Sequence, residues 1–482
     1  MTFTKKWQNR FRRTVWYVDS VGGSDSNNGR SATTAFQTIA KLEAQTLKPG
    51  DGIQLQDGSV FHETLTVTVA NLSIRGSGTG TQPLFDCSDR VAASAWSLTS
   101  GTTHVYQCTE NTKADPVGSS WINVYENGRA LVMATSVANC DARAGSYYIA
   151  NQAVTPTTIY VHTAGSANPA TDGNLYEYGS RLYGIYVPVV NGIQITGISG
   201  RRAIHSYGNF VSIYAGVRMN NCNWNDGNKH NMYVGQDAVI ANTNCKNLYF
   251  GGQSATFFVH YTADANPLDV TYLNCSAQQL YGSSALVTGF YGHPATGANF
   301  RNVLFDACST FGCDGGASSF GATATYNNCN FAVGSAEPLA AVNTFNGCTL
   351  GANSSLSLNA KVISNAAANT IIINACTLIT TASFACAIYV IAGTSLSITG
   401  STVTASGGYG IYATGALTLT SETNVFTCGL FNYTDSAGAI SATSDYNRFI
   451  GTSKNFRSNN VVYTGLAAWK AATGEDLHSS TV

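Results

Sequence analysis

Charge is what this sequence has least of. Across 482 residues only 11% are Asp, Glu, Lys or Arg, less than half the usual share of about 25%. The 25 basic and 26 acidic residues leave a net charge of −1. That excludes the basic excess of a nucleic-acid binder and an acidic tail seeking a basic partner. No apolar run of 18 residues occurs, so no membrane-spanning helix is expected. Pro-rich tracts are also missing, yet aromatics make up 11%, which argues against disorder. Lys5, Lys6, Arg10, Arg12 and Arg13 make the start basic, but Thr14-Val15-Trp16-Tyr17-Val18 runs straight into Asp19 without an apolar signal core. No signal peptide is therefore expected. Either the protein is not secreted by that route or a leader has been removed from it; a virion or extracellular protein released by lysis would need none.

What is abundant is Gly, with 48 copies, together with Ser, Thr and Asn, a composition of many tight turns between strands. The 13 cysteines are odd in number, so at least one is unpaired. Seven of them close a recurring phrase: Asn221-Cys222, Asn244-Cys245, Asn274-Cys275, Ala307-Cys308, Asn328-Cys329, Gly347-Cys348 and Ala375-Cys376. The intervals are 23, 30, 33, 21, 19 and 28 residues, and Ile198 and Ser401 extend the series at either end. A large apolar residue stands three positions earlier in most copies (Met219, Tyr272, Phe305, Tyr326, Phe345, Ile373), and Trp224, Phe331, Leu350 or Leu378 two positions later. These three positions cannot share one face of a straight strand, whose side chains alternate with period 2. A corner resolves this, and Asn and Gly tolerate the left-handed backbone it needs. Each repeat therefore reads as a strand, an Asn or Gly corner, and a second strand starting at a buried Cys. Stacked at about 4.8 Å per turn, the cysteines form an interior ladder. A disulfide or zinc framework fits less well, because paired C-x-x-C units are missing. A period near 25 without intervening helices or a Leu-rich signature reads as a parallel β-helix.

Solenoids need capped ends. Phe36-Gln37-Thr38-Ile39-Ala40-Lys41-Leu42 reads as a helix with Thr33 or Thr34 as its N-cap, and Gly465 to Ala472 as a short helix stopped by Gly474. The stretch Trp16-Tyr17-Val18-Asp19, Gly23-Ser24-Asp25, Asn28-Gly29, Ala35 to Ala40 and Lys48-Pro49-Gly50-Asp51 resembles the N-terminal cap of pectate-lyase-like right-handed parallel β-helix proteins. Ser444-Asp445-Tyr446-Asn447, Trp469 and Thr473 to Ser479 resemble their C-terminal segment. The resemblance implies an all-β, right-handed parallel β-helix with an N-terminal helical cap, an inserted β subdomain and a short C-terminal capping helix. That superfamily includes polysaccharide lyases, glycoside hydrolases, epimerases and phage tailspikes, and fold alone does not choose among them.

The chain then divides into an N-terminal arm (1–15), a cap with the first turns (16–86), an inserted β subdomain (87–182), the regular β-helix with its Cys ladder (183–445) and a C-terminal cap (446–482). Within the insert, Asn127-Gly128 is expected to turn a hairpin from Val124 to Leu131.

Charge sorts the β-helix. From Gly315 to Thr420 only Glu337 and Lys361 are charged and no His occurs, which leaves little for acid–base chemistry. Residues 200–314 hold four of the eight histidines and the two longest Cys intervals, so loops protrude there. The phrase from Asn225 to Asp237 delivers Asp226, Lys229, His230, Tyr233 and Asp237, and His260 aligns one turn on. The expected catalytic set is Asp226, Lys229, His230, Asp237 and His260, with Arg218, Tyr233, Tyr261, Asp264, Tyr281, Tyr291 and His293 as substrate-binding residues. A lyase on an acidic sugar would use Lys229 or Arg218 to neutralise the uronate, His230 or His260 as base, and Tyr233, Tyr261 or Tyr291 as acid. A hydrolase would use a carboxylate pair, Asp226 with Asp237 or Asp237 with Asp264. The vicinal Asp cluster that pectate lyases use for calcium and the polygalacturonase pattern are both missing. No cofactor is expected, and nothing in the sequence supports a divalent cation such as calcium.

Plainer readings stand beside these. Asp226 is a turn former in Asp-Gly-Asn, Lys229 and His230 fit a solvated loop, and His260 beside Phe257 and Phe258 fits a core position. Glu63, Asp51 and Asp57 fit turn hydrogen bonding, and Asp306 fits a corner. The expectation is a carbohydrate-active β-helix, a polysaccharide depolymerase of tailspike type (lyase or endo-glycosidase). Its partner is a polysaccharide, its oligomeric state is open to a homotrimer, and residues 1–15 are available for virion docking, with neither nucleic acid nor membrane as partner. The alternative is a non-catalytic glycan-binding or structural fibre protein, or a surface adhesin.

Overall fold

The computed structural model describes residues 14–481 apart from 79, 112–120, 153, 189, 213–215, 236, 250–254, 263–267, 281–286, 295–299, 314, 319–322, 332–334, 338–341, 353–360, 365–369, 382–384, 392, 436–439 and 451–454. The fold is an all-β parallel β-helix. The chain divides into two compact units, one of Met1–Gly235, Thr243–Phe258 and Tyr281–Ala285, the other of Gln236–Asn242, Val259–Leu280 and Leu286–Val482.

In the first unit three parallel sheets wrap one core. The first sheet pairs Val15–Val18, Gly52–Leu55, Ser73–Gly76, Ile193–Thr196 and Val217–Asn220 in order. The second pairs Val60–Phe61, Leu84–Asp86, Ser199–Arg201, Asn223–Gly227 and Asn244–Leu248. The third pairs Leu65–Thr66, Ile185–Val187, Phe210–Ser212 and His230–Gly235. Parallel pairing puts like residues over like, so Ile53, Ile74, Ile195 and Met219 form one buried column. Between Asp86 and Ile185 the chain builds two further sheets. One, antiparallel throughout, has Ser88–Arg90, Tyr176–Gly179, Val124–Glu126 and Arg129–Ala130; the other, mainly antiparallel, has Ser97–Leu98, Val105–Glu110, Thr157–His162, Ser146–Ile149 and Val132–Met133. They share a separate core that includes Trp96, Ile122, Tyr147, Ile159 and Tyr176. Asn127 and Gly128 turn the expected hairpin with φ of 50° and 78°, the positive pair that a two-residue hairpin loop needs.

The second unit repeats the three-sheet arrangement. Its first sheet runs from Ala238–Ala241 through Leu268–Leu273 and Phe300–Asp306 to Ile440–Asp445, parallel throughout. Tyr272, Phe305, Tyr326 and Phe345 stack down its interior with ring centroids 5.2, 4.9 and 4.5 Å apart. The corners are left-handed as the sequence implied: Asn274, Ala307, Asn328, Gly347 and Ala375 have φ between 49° and 61°. Behind each corner sits a buried Cys. Cys275, Cys308, Cys348 and Cys376 donate their thiols to the carbonyls of Ile240, Tyr272, Tyr326 and Phe345 at 3.3–3.5 Å. Past Ser401 the ladder changes from thiol to amide. Asn424 Nδ2 donates to Ile398 O at 2.9 Å and Asn447 Nδ2 to Ser421 O at 2.8 Å. It ends on buried Asp476, which accepts from Asn447 and from Trp469 Nε1 of the C-terminal helix Leu466–Thr473. All 13 cysteines are buried and free.

Two details differ from the sequence expectation. Cys245 does not continue the ladder: its corner is Asn242 (φ 48°), so Thr243 takes the Cys position and Cys245 pairs in register with Trp224. The N-terminal helix is Ile39–Glu43, and its N-cap is Thr38, whose hydroxyl accepts from Lys41 N at 3.0 Å. Thr33 and Thr34 belong to a separate 3-10 turn, and Phe36 bridges Val18. Glu63 serves this helix end, accepting from Ile39 N and Ala40 N at 3.0 and 2.9 Å.

Candidate active site

A second set of corners builds the site. On the second sheet of the first unit, Asp86, Arg201, Asn225 and Lys246 occupy one register row facing away from Phe85, Gly200, Trp224 and Cys245. The residue after each of the last three is left-handed: Arg202 (φ 67°), Asp226 (φ 52°) and Asn247 (φ 52°). Asn and Asp adopt this backbone readily; for Arg it costs roughly 1–2 kcal/mol. The contacts of Arg202 offset that cost.

The Arg202 guanidinium is 2% exposed and enclosed. Nη1 lies 2.8 Å from Glu177 Oε2 and 3.8 Å from Asp86 Oδ2, and donates to Ser88 Oγ at 3.1 Å. Its Cζ sits 4.3 Å from the Tyr125 ring centroid, a cation–π contact. Tyr125 and Glu177 come from the inserted antiparallel sheet, neighbours in register across Val124–Glu126 and Tyr176–Gly179. Arg201 holds Asp86 through Nε and Nη2, at 2.9 and 2.7 Å. Burial pushes the Asp86 carboxyl up, but the two arginines outweigh it and hold it below the usual carboxylate range.

Asp226 behaves oppositely. It is half-buried, and burial pushes its carboxyl above the usual carboxylate range. Asn247 Nδ2 donates to its Oδ1 at 3.2 Å and the Tyr249 hydroxyl also bonds to it, while Arg202 and Arg201 act at longer range. None of these outweighs burial. Buried Tyr125 has its phenol raised well above the ordinary value by burial, opposed by Arg202 and reinforced by Asp226.

The other expected residues of this unit have different places. His230 and Tyr233 lie not on an exposed loop but in the strand His230–Gly235, 9% and 6% exposed. His230 Nδ1 is 3.1 Å from Thr256 O. Tyr233 stacks on Tyr207 at 4.3 Å, in a run that continues through His205 and Tyr183 to Tyr186 at centroid spacings of 4.6, 4.9 and 4.7 Å. Lys229 is half-buried, its carbonyl accepting from Thr256 N at 3.0 Å. Arg218 is exposed on the first sheet, in register with Gln194, and so on a different sheet from Asp226.

In the second unit Asp237 is exposed and accepts from Asp269 N at 2.8 Å. Asp269 is held below the usual range first by its hydrogen bond from Arg301. His260 is fully buried in Ala255–Thr262, beside Phe257 and Phe258. Tyr291 is half-buried in Val287–Pro294. Asp264 and Tyr281 lie outside the described residues, as do the side chains of Tyr261 and His293.

Of this cluster the sequence reading named Asp226 but not Asp86, Tyr125, Glu177, Arg202 or Tyr249. Arg202 and Asp86 are 116 positions apart and meet through the parallel pairing of Leu84–Asp86 with Ser199–Arg201, while Arg202 and Tyr125, 77 apart, meet through the insert. The adjacent Arg201-Arg202 in a chain so poor in charge was the one signal available. Among the described residues no group of three or more His, Cys, Asp or Glu is placed to hold a metal ion, and no helix is long and apolar enough to cross a membrane.

No family model matches the chain, and no curated protein matches it. Several solved structures do. The complex of XylC with xylose is 12% identical, aligned over 92% of this chain and 76% of its own, with a TM-score of 0.48. A rhamnogalacturonan lyase is 12% identical over 91% and 82%, with a TM-score of 0.30. The tailspike protein gp49 of Pseudomonas phage LKA1 is 13% identical over 86% and 73%, with a TM-score of 0.29. At these values the likeness says nothing about the reaction.

Proposed function

We propose that this chain is a polysaccharide depolymerase in which Asp226 is the general acid that protonates the leaving glycosidic oxygen. The observation behind this reading is the half-buried Asp226 carboxyl, raised by burial and flanked by the neutral donors Asn247 and Tyr249. A carboxyl that holds its proton more tightly than usual suits the acid of either elimination or hydrolysis of a glycoside. The tailspike-type role, with docking through residues 1–15 and three copies per particle, belongs to the same proposal and is read by light scattering of the purified chain.

The test is incubation with a panel of acidic and neutral polysaccharides, following reducing ends together with the ultraviolet absorbance of unsaturated uronates. New ends that vanish in Asp226→Asn support the reading; absorbance with them means elimination, its absence hydrolysis. No new ends on any polymer, or undiminished cleavage by Asp226→Asn, refutes it.

A second reading, non-catalytic glycan binding, is favoured by one observation. The carboxylates near Asp226, Asp86 and Glu177, are both committed to arginines, so neither stands ready as a partner base. That reading predicts retention of a glycan without new ends.

A further inference from the structure

We propose that Glu177, carried by the inserted sheet, is a positioning residue for Asp226: by holding the Arg202 guanidinium it keeps that cation from pairing with the acid one rung away. The inference rests on the proposed role of Asp226 and adds the residue that sets its state.

Arg202 and Asp226 occupy the same left-handed corner on consecutive rungs, linked by the hydrogen bond from Arg202 N to Asn225 O at 3.3 Å. A guanidinium so placed would ordinarily pair with the carboxylate beside it and keep it ionised. Here its ion pairs run the other way, to Glu177 at 2.8 Å and Asp86 at 3.8 Å. The Tyr125 ring covers one face, and the Gly128 carbonyl of the hairpin turn lies 3.5 Å from Nη2. Glu177, Tyr125 and Gly128 all belong to the insert, so the insert encloses the cation. Asp226 meets instead the amide of Asn247, the hydroxyl of Tyr249 and the more distant fields of Arg201, Arg202 and Tyr125. Replacing Glu177 by the isosteric neutral Gln leaves Arg202 with one partner fewer. It also removes a negative charge from the neighbourhood. Both effects favour the ionised form of Asp226.

The experiment is side-chain carboxyl NMR of the full chain labelled with 13C-Asp, with the Asp226 signal assigned by its loss in Asp226→Asn. In Glu177→Gln the Asp226 titration midpoint falls by about one pH unit, whereas Glu177→Asp, which keeps the charge, stays near wild type. Asp86→Asn, which weakens the other pair on Arg202, lowers the midpoint too and gives the same answer should Glu177→Gln not fold. An unchanged midpoint in the neutral variants overturns the proposal. The readout needs no substrate: a lowered midpoint in a chain that cleaves no polysaccharide would refute the depolymerase and leave the Glu177 role standing.

Discussion

Asn247 donates its side-chain amide to Asp226 Oδ1 at 3.2 Å, and the two residues hold the same left-handed corner on adjacent strands of one sheet. The pair shows how a β-helix makes a site. Stacked corners place one side chain over the next, and a substitution in a single rung changes the column's chemistry without changing its path. At the cysteine corner the column is inert. At this one it reads Arg, Asp, Asn, and a protonatable acid stands between a cation and an amide.

Asp226 carries a stability signature of its own. Its carboxyl is raised in the folded chain, so its stabilising contribution is present in full below the unfolded value near 3.9 and is lost as pH rises through the folded value. Asp226→Asn keeps an acceptor for Asn247 and removes the ionisation. The variant is expected to melt at or above the wild-type temperature at pH 8, with the gap closing towards pH 4. Thermal melts at the two pH values check this.

Arg202 and Arg218 should respond in opposite ways. Arg202→Met leaves Asp86 and Glu177 buried with less compensation and should cost about 3–5 kcal/mol. Arg218 is exposed, and Arg218→Ala should stay within about 0.5 kcal/mol of wild type. Urea denaturation of the two variants side by side makes the comparison.

The thirteen thiols should be silent in the native chain. Burial pushes Cys222 and Cys428 up to about 12, and all thirteen are buried and free. A thiol-reactive chromogen is expected to find none of them in native buffer and all of them in denaturant, and a reductant should leave the melting temperature unchanged.

The C-terminal helix closes the second unit through Trp469. This residue is fully buried, stacks on Phe456 at 5.1 Å and donates to Asp476 at 3.1 Å, where the amide ladder ends. Trp469→Ala should cost about 3–5 kcal/mol and expose the last rung, read as a lower denaturation midpoint and increased binding of a hydrophobic dye.

Much of the fold could be read in the sequence because a solenoid writes its geometry locally. An Asn or Gly before a Cys, with an aromatic three residues earlier, is enough to mark a corner and two strands. Cys245 escaped this reading because an Asn precedes it too, and only pairing shows that its corner lies at Asn242. The site was harder. Asp226 stood out in its phrase, and His230 and His260 stood out by residue type, but their burial in strands could not be read from the sequence. Glu177 and Tyr125 carry no local mark, because their role depends on the insert folding back on Arg202 across 25 and 77 positions of chain. Periodicity reports what faces inward; it does not report what an insertion covers.

The most direct measurement is the rate of polysaccharide cleavage by wild type and Asp226→Asn on whichever polymer of the panel yields new ends, with glycan binding measured on the same two proteins. Loss of cleavage by about 10²–10⁴-fold with binding retained is the predicted result. Cleavage undiminished in Asp226→Asn, or binding with no cleavage by wild type on any polymer, would contradict it.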